Sequence, residues 1–458
     1  MKVPCRCQES GRSEARMNIT RALCETVERI AFQDLPKEAV AEAKLCLIDW
    51  LGVTLGGAHE PLTDILLEVT GALGGKKQCS LIGRNLKTSM LNAALINGSA
   101  SHALDFDDVH FMMMGHPTVP LMPAVLALAE NKKVHGRDFL TAFIVGFEAE
   151  CRIGSAVLPF HYQQGWHATS SIGRFGAAVA CAKLLRLPVD KLVYAVGIAG
   201  TQAAGLKQVF GTMTKPFHAG KAAADGLLAA LLAEKGFTCS DDILAGESGF
   251  CRVLSPECNP ELIVEDLCKT YTIGNVMFKR HASCFETHPT IDAALRLREQ
   301  VKPEEVREIV VNAVPVAVEI AGKPEPKTGL EGKFSLSYCA ALALAEGQTG
   351  ETDFTNDKVL SPPLVALRKK VTVIASDDFG LTQAEVIVRT VDGRELKSRA
   401  DTYEIGSDKD RRKADLIRKF RSFADRLLPP GRTDAILEFV QGLASQKNMK
   451  DLLVLCQP

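Results

Sequence analysis

The sequence predicts a mostly α fold with an inserted α+β domain, and three observations lead to this prediction. In the first half of the chain, apolar residues recur at helical spacing in one segment after another. The sequence then becomes rich in Val and Ile that alternate with polar residues, as in strands. Near the C-terminus the helical spacing returns. The simplest architecture is a large all-helical domain made of residues 17–268 and 405–458, with a smaller α+β domain over residues 269–404.

The predicted helices of the large domain begin behind Pro36, a residue suited to a first helical turn. Apolar residues then recur at helical spacing as far as Leu51. The segments 173–187 and 218–237 are small and apolar on nearly all sides, which is typical of central helices that neighbours approach closely. Gly236 ends the second segment as a C-terminal cap would.

The predicted strands belong to the inserted domain and lie within residues 306–321, 369–378 and 384–400. Asp392 and Gly393 lie inside the last segment, as the turn of a hairpin would. Helical patterns occupy residues 288–300, 332–347, 411–428 and 433–446. No unit of about 20–50 residues repeats, so a solenoid is not predicted.

Charge and motif content exclude several classes of protein. The 54 Lys and Arg residues are balanced by 55 Asp and Glu residues, so no net positive field would gather nucleic acid. No apolar run reaches the ~18 residues of a membrane span. The motifs GxGxxG, GxxxxGKS/T, HExxH and GxSxG are absent, which argues against nucleotide cofactors, zinc-protease chemistry and the serine-hydrolase elbow. We predict no nucleic acid or membrane partner and no cofactor.

Cysteine usage indicates a reducing compartment. The fourteen cysteines are scattered, mostly within apolar segments where a thiol acts as a small hydrophobe, and no CxxC pair occurs. We therefore predict a cytoplasmic protein. Residues 1–16 lack the apolar core of a secretory signal, and they contain Glu9 and Glu14 beside their Arg and Ser residues. A mitochondrial presequence is the alternative for this stretch, with Met17 as a second possible start.

The stretch DFDDVHFMMMGHPTVP contains the densest group of reactive side chains. Its carboxylates and imidazoles, from Asp105, Asp107, Asp108, His110 and His116, are of the types that ligate divalent metals. Asp107 or Asp108 could instead cap a helix. From these residues alone, a metal site, an acid/base site and a solvated loop all remain open.

Histidines are concentrated in the polar breaks between predicted buried helices. All ten precede residue 289. Those in such breaks are His110, His116, His161, His167, His218, His281 and His288. Because surface histidines would scatter, we predict that several share one cleft. A hydrogen-bonded core histidine is the alternative for His218.

Two lysines stand where the dipole of a predicted helix opposes a cation. Lys215 precedes a proline at a first helical turn, and Lys333 stands at the start of an apolar helix. An anionic ligand near Lys215, and solvent or an anion near Lys333, would resolve this conflict. A further predicted anion site is the helix start after Tyr162 and His167, where the N–H groups of residues 169–172 would be free.

A last cluster, formed by Lys279, Arg280, His281 and Cys284, precedes a helix that His288 opens or caps. Its side chains can bind an anion or exchange protons. We predict that the substrate is bound by residues of this cluster together with two upstream residues: Lys215, His218, Lys279, Arg280, His281 and Cys284.

Six segments occur together in an order that resembles the MmgE/PrpD family over nearly the whole chain. They are NGSASHALDFDDVH, GHPTVPLMPAVLALAE, GWHATSSIGRFGAAVACAKLLRL, GTMTKPFHAGKAAADG, HPTIDAAL and KFSLSYCAALAL. That family includes 2-methylcitrate dehydratases, cis-aconitate decarboxylases and iminodisuccinate epimerases. The resemblance implies a helical domain with an α+β lid, a homodimer, and proton transfer next to a carboxylate with no organic cofactor and no metal.

The resemblance also implies roles for individual residues. Asp105, His116, His167 and Lys215 are similar to the pocket lining of the decarboxylase branch, and Tyr162 and Lys333 resemble the acid/base pair of the epimerase branch. We predict that Lys215, His116 and His167 bind carboxylates and that Asp105 orients a histidine. Tyr162 or Lys333 would act as a base near neutral pH only with a lowered pKa.

Two departures from the family pattern favour one branch. Where decarboxylases carry a histidine before the HP helix, this chain has Cys284, with His281 three positions earlier, and Val109 replaces an expected hydroxyl residue. Protonation after loss of CO2 would lack its usual donor. The leading hypothesis is therefore a hydro-lyase acting on a small di- or tricarboxylate of the 2-methylcitrate type. The alternatives are an epimerase or racemase of an imino- or amino-dicarboxylate, a cis-aconitate-type decarboxylase, and a non-catalytic binding homodimer.

Overall fold

Helices make up most of the protein, which confirms the predicted mostly α fold with an α+β part. The computed structural model describes residues 17–458, so the predictions for residues 1–16 lie outside the described residues. The first half contains α1 (Ile19–Arg29), α2 (Lys37–Gly57), α3 (Pro61–Leu73), α4 (Met90–Ala103), α5 (Thr118–Asn131), α6 (Gly136–Val157), α7 (Phe160–Gln163), α8 (Ala168–Ser171), α9 (Gly173–Leu184), α10 (Val189–Gly200), α11 (Thr214–Glu234) and α12 (Phe250–Leu254). The second half contains α13 (His288–Arg298), α14 (Pro315–Ala321), α15 (Gly329–Gly332), α16 (Leu336–Glu346), α17 (Asn356–Val359), α18 (Pro362–Arg368), α19 (Thr402–Gly406), α20 (Lys409–Leu427), α21 (Arg432–Gln441) and α22 (Lys450–Leu455).

The centre of the helical part is a close crossing of α4 and α11, flanked by α5 and α9. Both crossing helices use glycine at the contact. A Cβ atom on Gly98 would lie 2.7 Å from the Cα of Gly220, and a Cβ on Gly220 would lie 2.0 Å from the Leu95 carbonyl oxygen. The small-residue composition predicted α9 and α11 to be central, and α11 is, because only hydrogen in place of a side chain permits such an approach. The crossing matters for function because Asp105 follows α4 and Lys215 begins α11.

The α+β part contains a four-stranded sheet in the order β4 (Val371–Ala375), β3 (Val306–Ala313), β5 (Gln383–Thr390), β6 (Glu395–Asp401). Strands β3 and β4 are parallel, whereas β5 is antiparallel to both β3 and β6. Asp392 and Gly393 lie between β5 and β6 as predicted, with Gly393 at a φ of 92°. Helices α13 and α16 pack on the sheet.

Two local predictions were wrong. The strand pattern over residues 306–321 ends at Ala313, and α14 follows, because Pro315 cannot donate to a sheet ladder but suits the first turn of a helix. A short antiparallel hairpin, β1 (Cys79–Leu81) and β2 (Leu86–Thr88), interrupts the helices of the first half, where no strand was predicted. Its strands of three residues are too short to show an alternating pattern.

The C-terminal helices return to the first half of the chain. Phe420 of α20 lies against Gly52 of α2, where an added Cβ would be 3.1 Å from the Phe420 Cα. Lys419, in the same helix, donates a 2.7 Å hydrogen bond to Asp49 and further bonds to the carbonyls of Phe106 and Lys279. Helix α20 therefore supports the backbone beside Asp105 from outside the pocket. Within residues 17–458, none of the helices has both the length and the apolar character needed to cross a membrane.

The α4–α11 crossing yields a stability prediction. We expect Gly220→Ala to lower the free energy of unfolding by about 1–3 kcal/mol, because the new methyl group must displace the α4 backbone. In contrast, Gly71→Ala in α3 should raise it by about 0.5–1 kcal/mol, since a Cβ there meets nothing within 4 Å and alanine favours the helix. Denaturant unfolding followed by circular dichroism would test both. Equal effects of the two substitutions would contradict the proposed crossing.

Candidate active site

Seven of the predicted site residues line one small pocket of about 50 Å³ between the helical and α+β parts. They are Asp105, His116, Tyr162, His167, Lys215, Lys279 and Cys284. The two segments that carry Asp105 and Lys279 are joined by a pair of backbone hydrogen bonds between Val109 and Met277, of 2.8 and 2.9 Å. Val109 therefore contributes through its backbone to the alignment of the two pocket walls.

The centre of the site is a buried ion cluster, here called the Asp105 triad, formed by Asp105, Lys215 and Lys279. Each lysine Nζ donates a 2.7 Å hydrogen bond to Asp105 Oδ1, and Lys279 also donates to the Asp105 carbonyl at 2.9 Å. The three side chains are at most 6% exposed. Burial alone would raise the pKa of Asp105, but Lys215 and Lys279 hold it well below its usual range. The anion that was predicted to offset Lys215 at the start of α11 is therefore Asp105 itself.

Asp105 reaches this position through an unusual backbone. It follows Leu104, the C-terminal cap of α4, with a φ of 50°, in the left-handed region that costs a non-glycine residue about 1–2 kcal/mol. Its second carboxylate oxygen, Oδ2, is buried and accepts no hydrogen bond from residues 17–458. The two lysines thus fix the carboxylate through Oδ1, whereas Oδ2 has no hydrogen-bond donor among residues 17–458.

A second carboxylate, Asp107, orients the histidines. The Nδ1 atom of His102 lies 2.9 Å from Asp107 Oδ1, and the Nδ1 atom of His116 lies 3.0 Å from Asp107 Oδ2. Burial would raise the pKa of Asp107, but the two imidazoles hold it well below its usual range. The prediction that Asp105 orients a histidine and that Asp107 caps a helix is corrected here, because Asp105 is taken by the lysines.

This arrangement sets the tautomers of the two histidines. Nδ1 of His116 faces two acceptors, Asp107 Oδ2 and the Asp108 carbonyl at 2.8 Å, so Nδ1 carries a proton. The other nitrogen, Nε2, lies 3.9 Å from Asp105 Oδ1 and is the one able to take a proton from a ligand. Burial lowers the pKa of His102 to about 3, so His102 is neutral and donates its Nδ1 hydrogen to Asp107. Sequence reasoning missed His102, although it lies one helical turn before Asp105.

Asp108 has the capping role that was predicted for it. Its carboxylate accepts hydrogen bonds from the N–H group and the hydroxyl of Thr118, the first residue of α5. Burial, reinforced by Asp49, raises the pKa of Asp108 to about 8. His110, in the same stretch, donates to or accepts from groups outside the pocket, with Nε2 2.9 Å from the Thr272 carbonyl.

His167 is the second imidazole of the pocket. Its Nδ1 lies 3.0 Å from Nδ1 of His218, which places His218 behind it and outside the pocket lining. Burial and then Lys215 lower the pKa of His167 well below its usual range, and burial lowers that of His218 to about 4. The predicted anion site at residues 169–172 does not form. The N–H groups of Ser170, Ser171 and Ile172 already donate hydrogen bonds to the carbonyls of residues 167 and 168.

Tyr162 and Lys333 occupy different layers of the site. Tyr162 lines the pocket, and burial, followed by Glu286, raises its pKa well above the usual range, so the phenol is a proton donor. Lys333 lies behind the lining, where its Nζ donates to the carbonyls of Leu104 and Ala282 at 2.6 and 2.8 Å. These carbonyls replace the solvent or anion that was predicted to offset Lys333. Burial lowers the Lys333 pKa to about 8.

The cluster before α13 divides into two groups. Lys279 and Cys284 face the pocket, whereas Arg280 and His281 both contact Asp292, with His281 Nε2 3.0 Å from Asp292 Oδ1. The structure thus places Arg280 and His281 away from the predicted substrate. Cys284 is followed by Glu286, a pocket residue that sequence reasoning missed although it lies in the same polar break.

His281 and two further histidines from the predicted cleft are structural. His161 is buried between the Leu254 carbonyl and Ser171, at 2.7 Å from each. His288 opens α13 and packs on His281 and Phe285. Among the seven histidines predicted to share a cleft, only His116 and His167 line the pocket.

The pocket offers one group of possible metal ligands within residues 17–458. Donor atoms of His102, Asp105, Asp107 and His116 all lie within 4.8 Å of one another. Carboxylate and imidazole are suitable ligand types, but the ammonium groups of the Asp105 triad already occupy Asp105 Oδ1 and would repel a divalent cation. The residues therefore fit a metal poorly.

A larger cleft, of about 510 Å³, lies between α20 and residues 274–280. Three of its lining cations are already paired within the protein: Lys279 with Asp105, Arg412 with Glu42 and Lys419 with Asp49. It contains no histidine among its lining residues. The smaller pocket therefore concentrates the reactive groups and is the candidate active site.

Comparison with known proteins shows the family of this chain. The model described as MmgE/PrpD N-terminal domain matches residues 21–263, and that described as MmgE/PrpD C-terminal domain matches residues 281–444. The chain is 30% identical to the cis-aconitate decarboxylase-like protein oryM of Aspergillus oryzae, over 96% of this chain and 97% of that one. It is 27% identical to cis-aconitate decarboxylase of Homo sapiens (95% and 92%) and 22% identical to mitochondrial 2-methylcitrate dehydratase of Yarrowia lipolytica (87% and 82%). Since both domain models match in order and span most of the chain, this protein belongs to the MmgE/PrpD family.

Proposed function

We propose that the protein is a lyase that acts on a small di- or tricarboxylate through an enediolate-like intermediate. The observation that carries the proposal is the Asp105 triad, in which two buried ammonium groups share one carboxylate. Their combined charge exceeds that of Asp105 by one, so the triad carries a net positive charge. A substrate carboxylate bound there would receive the negative charge that develops when the adjacent carbon loses a proton or CO2.

The other pocket residues supply the proton transfers. Nε2 of His116 is placed to accept a proton, since two acceptors hold the hydrogen of this ring on Nδ1. The neutral imidazole of His167 is a second candidate base. Tyr162 is protonated because of its raised pKa, and burial likewise raises the pKa of the Cys284 thiol well above its usual range. The site therefore combines bases on the histidine side with donors on the Tyr162 side.

Two outcomes of this chemistry are proposed for testing. The names of the relatives favour decarboxylation of a cis-aconitate-type substrate. Cys284, where the family's decarboxylases carry a histidine, favours dehydration of a 2-methylcitrate-type substrate, which one relative's name also supports. The two-base epimerase hypothesis loses support because Lys333 lies behind the pocket wall and not opposite Tyr162. We also propose the homodimer that the resemblance implies, which sedimentation analysis would test.

The first prediction concerns the reaction itself. Proton NMR in D2O should show turnover of cis-aconitate, 2-methylcitrate or citrate, with loss of CO2 or of water. Lys215→Met should lower kcat/KM by about 100-fold or more, because it removes one of the groups that stabilise the developing charge. The matched control is Lys221→Met in the same helix, since Lys221 is 48% exposed and pairs with Asp225.

Three outcomes would contradict this prediction. Deuterium incorporation from iminodisuccinate or an amino-dicarboxylate, without bond cleavage, would indicate an epimerase. Absence of turnover with every acid would support a non-catalytic binding protein. Equal activities of the Lys215→Met and Lys221→Met variants would exclude the Asp105 triad from the reaction.

A second prediction concerns alkaline pH. The folded-state pKa of Lys333, about 8, lies below its ordinary value of 10.5, so the ammonium loses its proton as pH rises through about 8. The pocket then loses one positive charge, and KM for a polyanion should rise about three- to tenfold between about pH 7 and 9.5. Lys333→Met should show the higher KM at every pH and a smaller alkaline rise, because only Asp108, whose pKa is also about 8, still changes charge over this range. A KM that is independent of pH in the unsubstituted protein would contradict this role.

A third prediction concerns metal ions. Activity should survive dialysis against EDTA, and added Mg²⁺ or Zn²⁺ should not raise it, because Lys215 and Lys279 occupy the carboxylate of the possible ligand group. Activity and bound metal would be measured on the same samples. Loss of activity that one equivalent of metal restores would contradict this prediction.

A further inference from the structure

The pocket lining carries a second carboxylate besides Asp105. Glu286 lines the pocket together with Cys284 and Tyr162. Its Oε2 atom accepts a hydrogen bond from the Cys284 thiol at 2.9 Å. In the part of the chain that the structure describes, no Lys, Arg or His side chain lies within 4.0 Å of Glu286. Glu286 therefore presents an uncompensated acceptor to the pocket.

The backbone around Glu286 is well fixed. Residues 285–287 form a single tight turn that leads into α13, and the Cys284 N–H group donates to the Lys333 carbonyl at 3.0 Å. Phe285 packs edge-on against Phe111, with ring centroids 5.7 Å apart, and lies 5.1 Å from the His288 ring. Glu286 thus projects from a rigid element, which is what a specificity-determining side chain requires.

The net positive charge of the Asp105 triad and the negative charge of Glu286 restrict the substrates that can bind. A carboxylate of the substrate is attracted to the Asp105 triad but repelled by Glu286, so a third carboxylate directed at Glu286 would be unfavourable. A hydroxyl group in that place would instead donate a hydrogen bond to the free Glu286 oxygen. A ligand that lacks this hydroxyl would leave the Glu286 acceptor unpaired, which costs binding free energy. The site should therefore discriminate strongly against such a ligand.

We infer that Glu286 determines specificity and that the substrate is a polycarboxylate bearing a hydroxyl group, which donates to Glu286 while a carboxylate binds Lys215 and Lys279. This inference rests on the proposed function and makes it narrower. Cis-aconitate has no hydrogen-bond donor at neutral pH, whereas citrate-type acids carry a tertiary hydroxyl. Glu286 therefore favours binding of a hydroxy acid over an unsaturated tricarboxylate. Elimination of water would then require a proton on the departing hydroxyl oxygen, which Tyr162 in the same lining would donate, since the Glu286 carboxylate accepts and does not donate.

A matched pair of acids tests the inference by binding affinity, at protein concentrations and times chosen so that any turnover of citrate, followed by NMR on the same sample, is negligible. Citrate and tricarballylate have the same three carboxylates and differ only by the hydroxyl group. Calorimetric titration should give the unsubstituted protein about a tenfold or greater preference for citrate, the usual effect of one hydrogen bond to a charged group. Glu286→Ala should bind both acids with equal affinity and should bind tricarballylate more tightly than the unsubstituted protein does, because a like charge is removed.

Two further variants control the comparison. Glu319→Ala removes a neighbouring carboxylate that is 69% exposed and pairs with Lys207, so this variant should keep the preference for citrate. Glu286→Gln keeps the size of the side chain and an oxygen acceptor, and it should show an intermediate preference if Glu286→Ala does not fold. Retention of the full preference by both Glu286 variants would overturn the inference.

The result with the unsubstituted protein separates this inference from the proposed function. Tight binding of both acids with equal affinity would overturn the role of Glu286 and leave the polycarboxylate site intact. Failure to bind either acid would contradict the proposed function, and the inference with it.

Discussion

Asp105 is a single carboxylate shared by two buried ammonium groups, and the geometry of the pocket depends on that sharing. Removing an ion from water costs several kcal/mol even in a relaxed protein, so Lys215 and Lys279 stay buried only because Asp105 pairs with both. The triad also joins three separate segments: the end of α4, the start of α11 and the strand-like stretch that contacts Val109. One interaction therefore joins the pocket walls and places a net positive charge at this point of the lining.

Burial, with a contribution from Lys215, keeps two histidines beside the triad neutral. Burial is the main cause of the lowered pKa values of His102 and His167, and Lys215 contributes to both. Their imidazoles remain neutral near pH 7 and are available as bases or hydrogen-bond donors. Asp107 accepts the Nδ1 hydrogen of His102, whereas Nδ1 of His116, 3.0 Å from Asp107 Oδ2, is hydrogen-bonded to the Asp108 carbonyl. The two aspartates thus have different roles: Asp105 binds the ammonium groups, and Asp107 orients the histidine rings.

The sequence permitted prediction of the fold class and of most of the titratable side chains in the pocket lining, because both follow from local patterns. The sequence alone shows the helical periodicity, the glycines of the crossing helices and the polar residues in the breaks between helices. The partners of charged groups are not: Asp105 and Lys215 are 110 positions apart, and Lys333 meets the Leu104 carbonyl across 229 positions. Arg280 and His281 were predicted in the pocket because they adjoin Lys279, but the chain turns them toward Asp292. Residue spacing does not report such a turn.

The ion triad also suggests how the pocket can accept a substrate without leaving a charge unpaired. Asp105 holds both lysines through the same oxygen, Oδ1, while Oδ2 accepts no hydrogen bond within residues 17–458. When a substrate carboxylate pairs with one of the two ammonium groups, the other still pairs with Asp105. Neither the Asp105 carboxylate nor a lysine is then left buried without a partner. The left-handed backbone of Asp105 keeps the carboxylate in place during this exchange, since Lys279 also binds its carbonyl. A pocket with one lysine and one aspartate would have to break its only ion pair to bind the same ligand, at the cost of an unpaired buried charge.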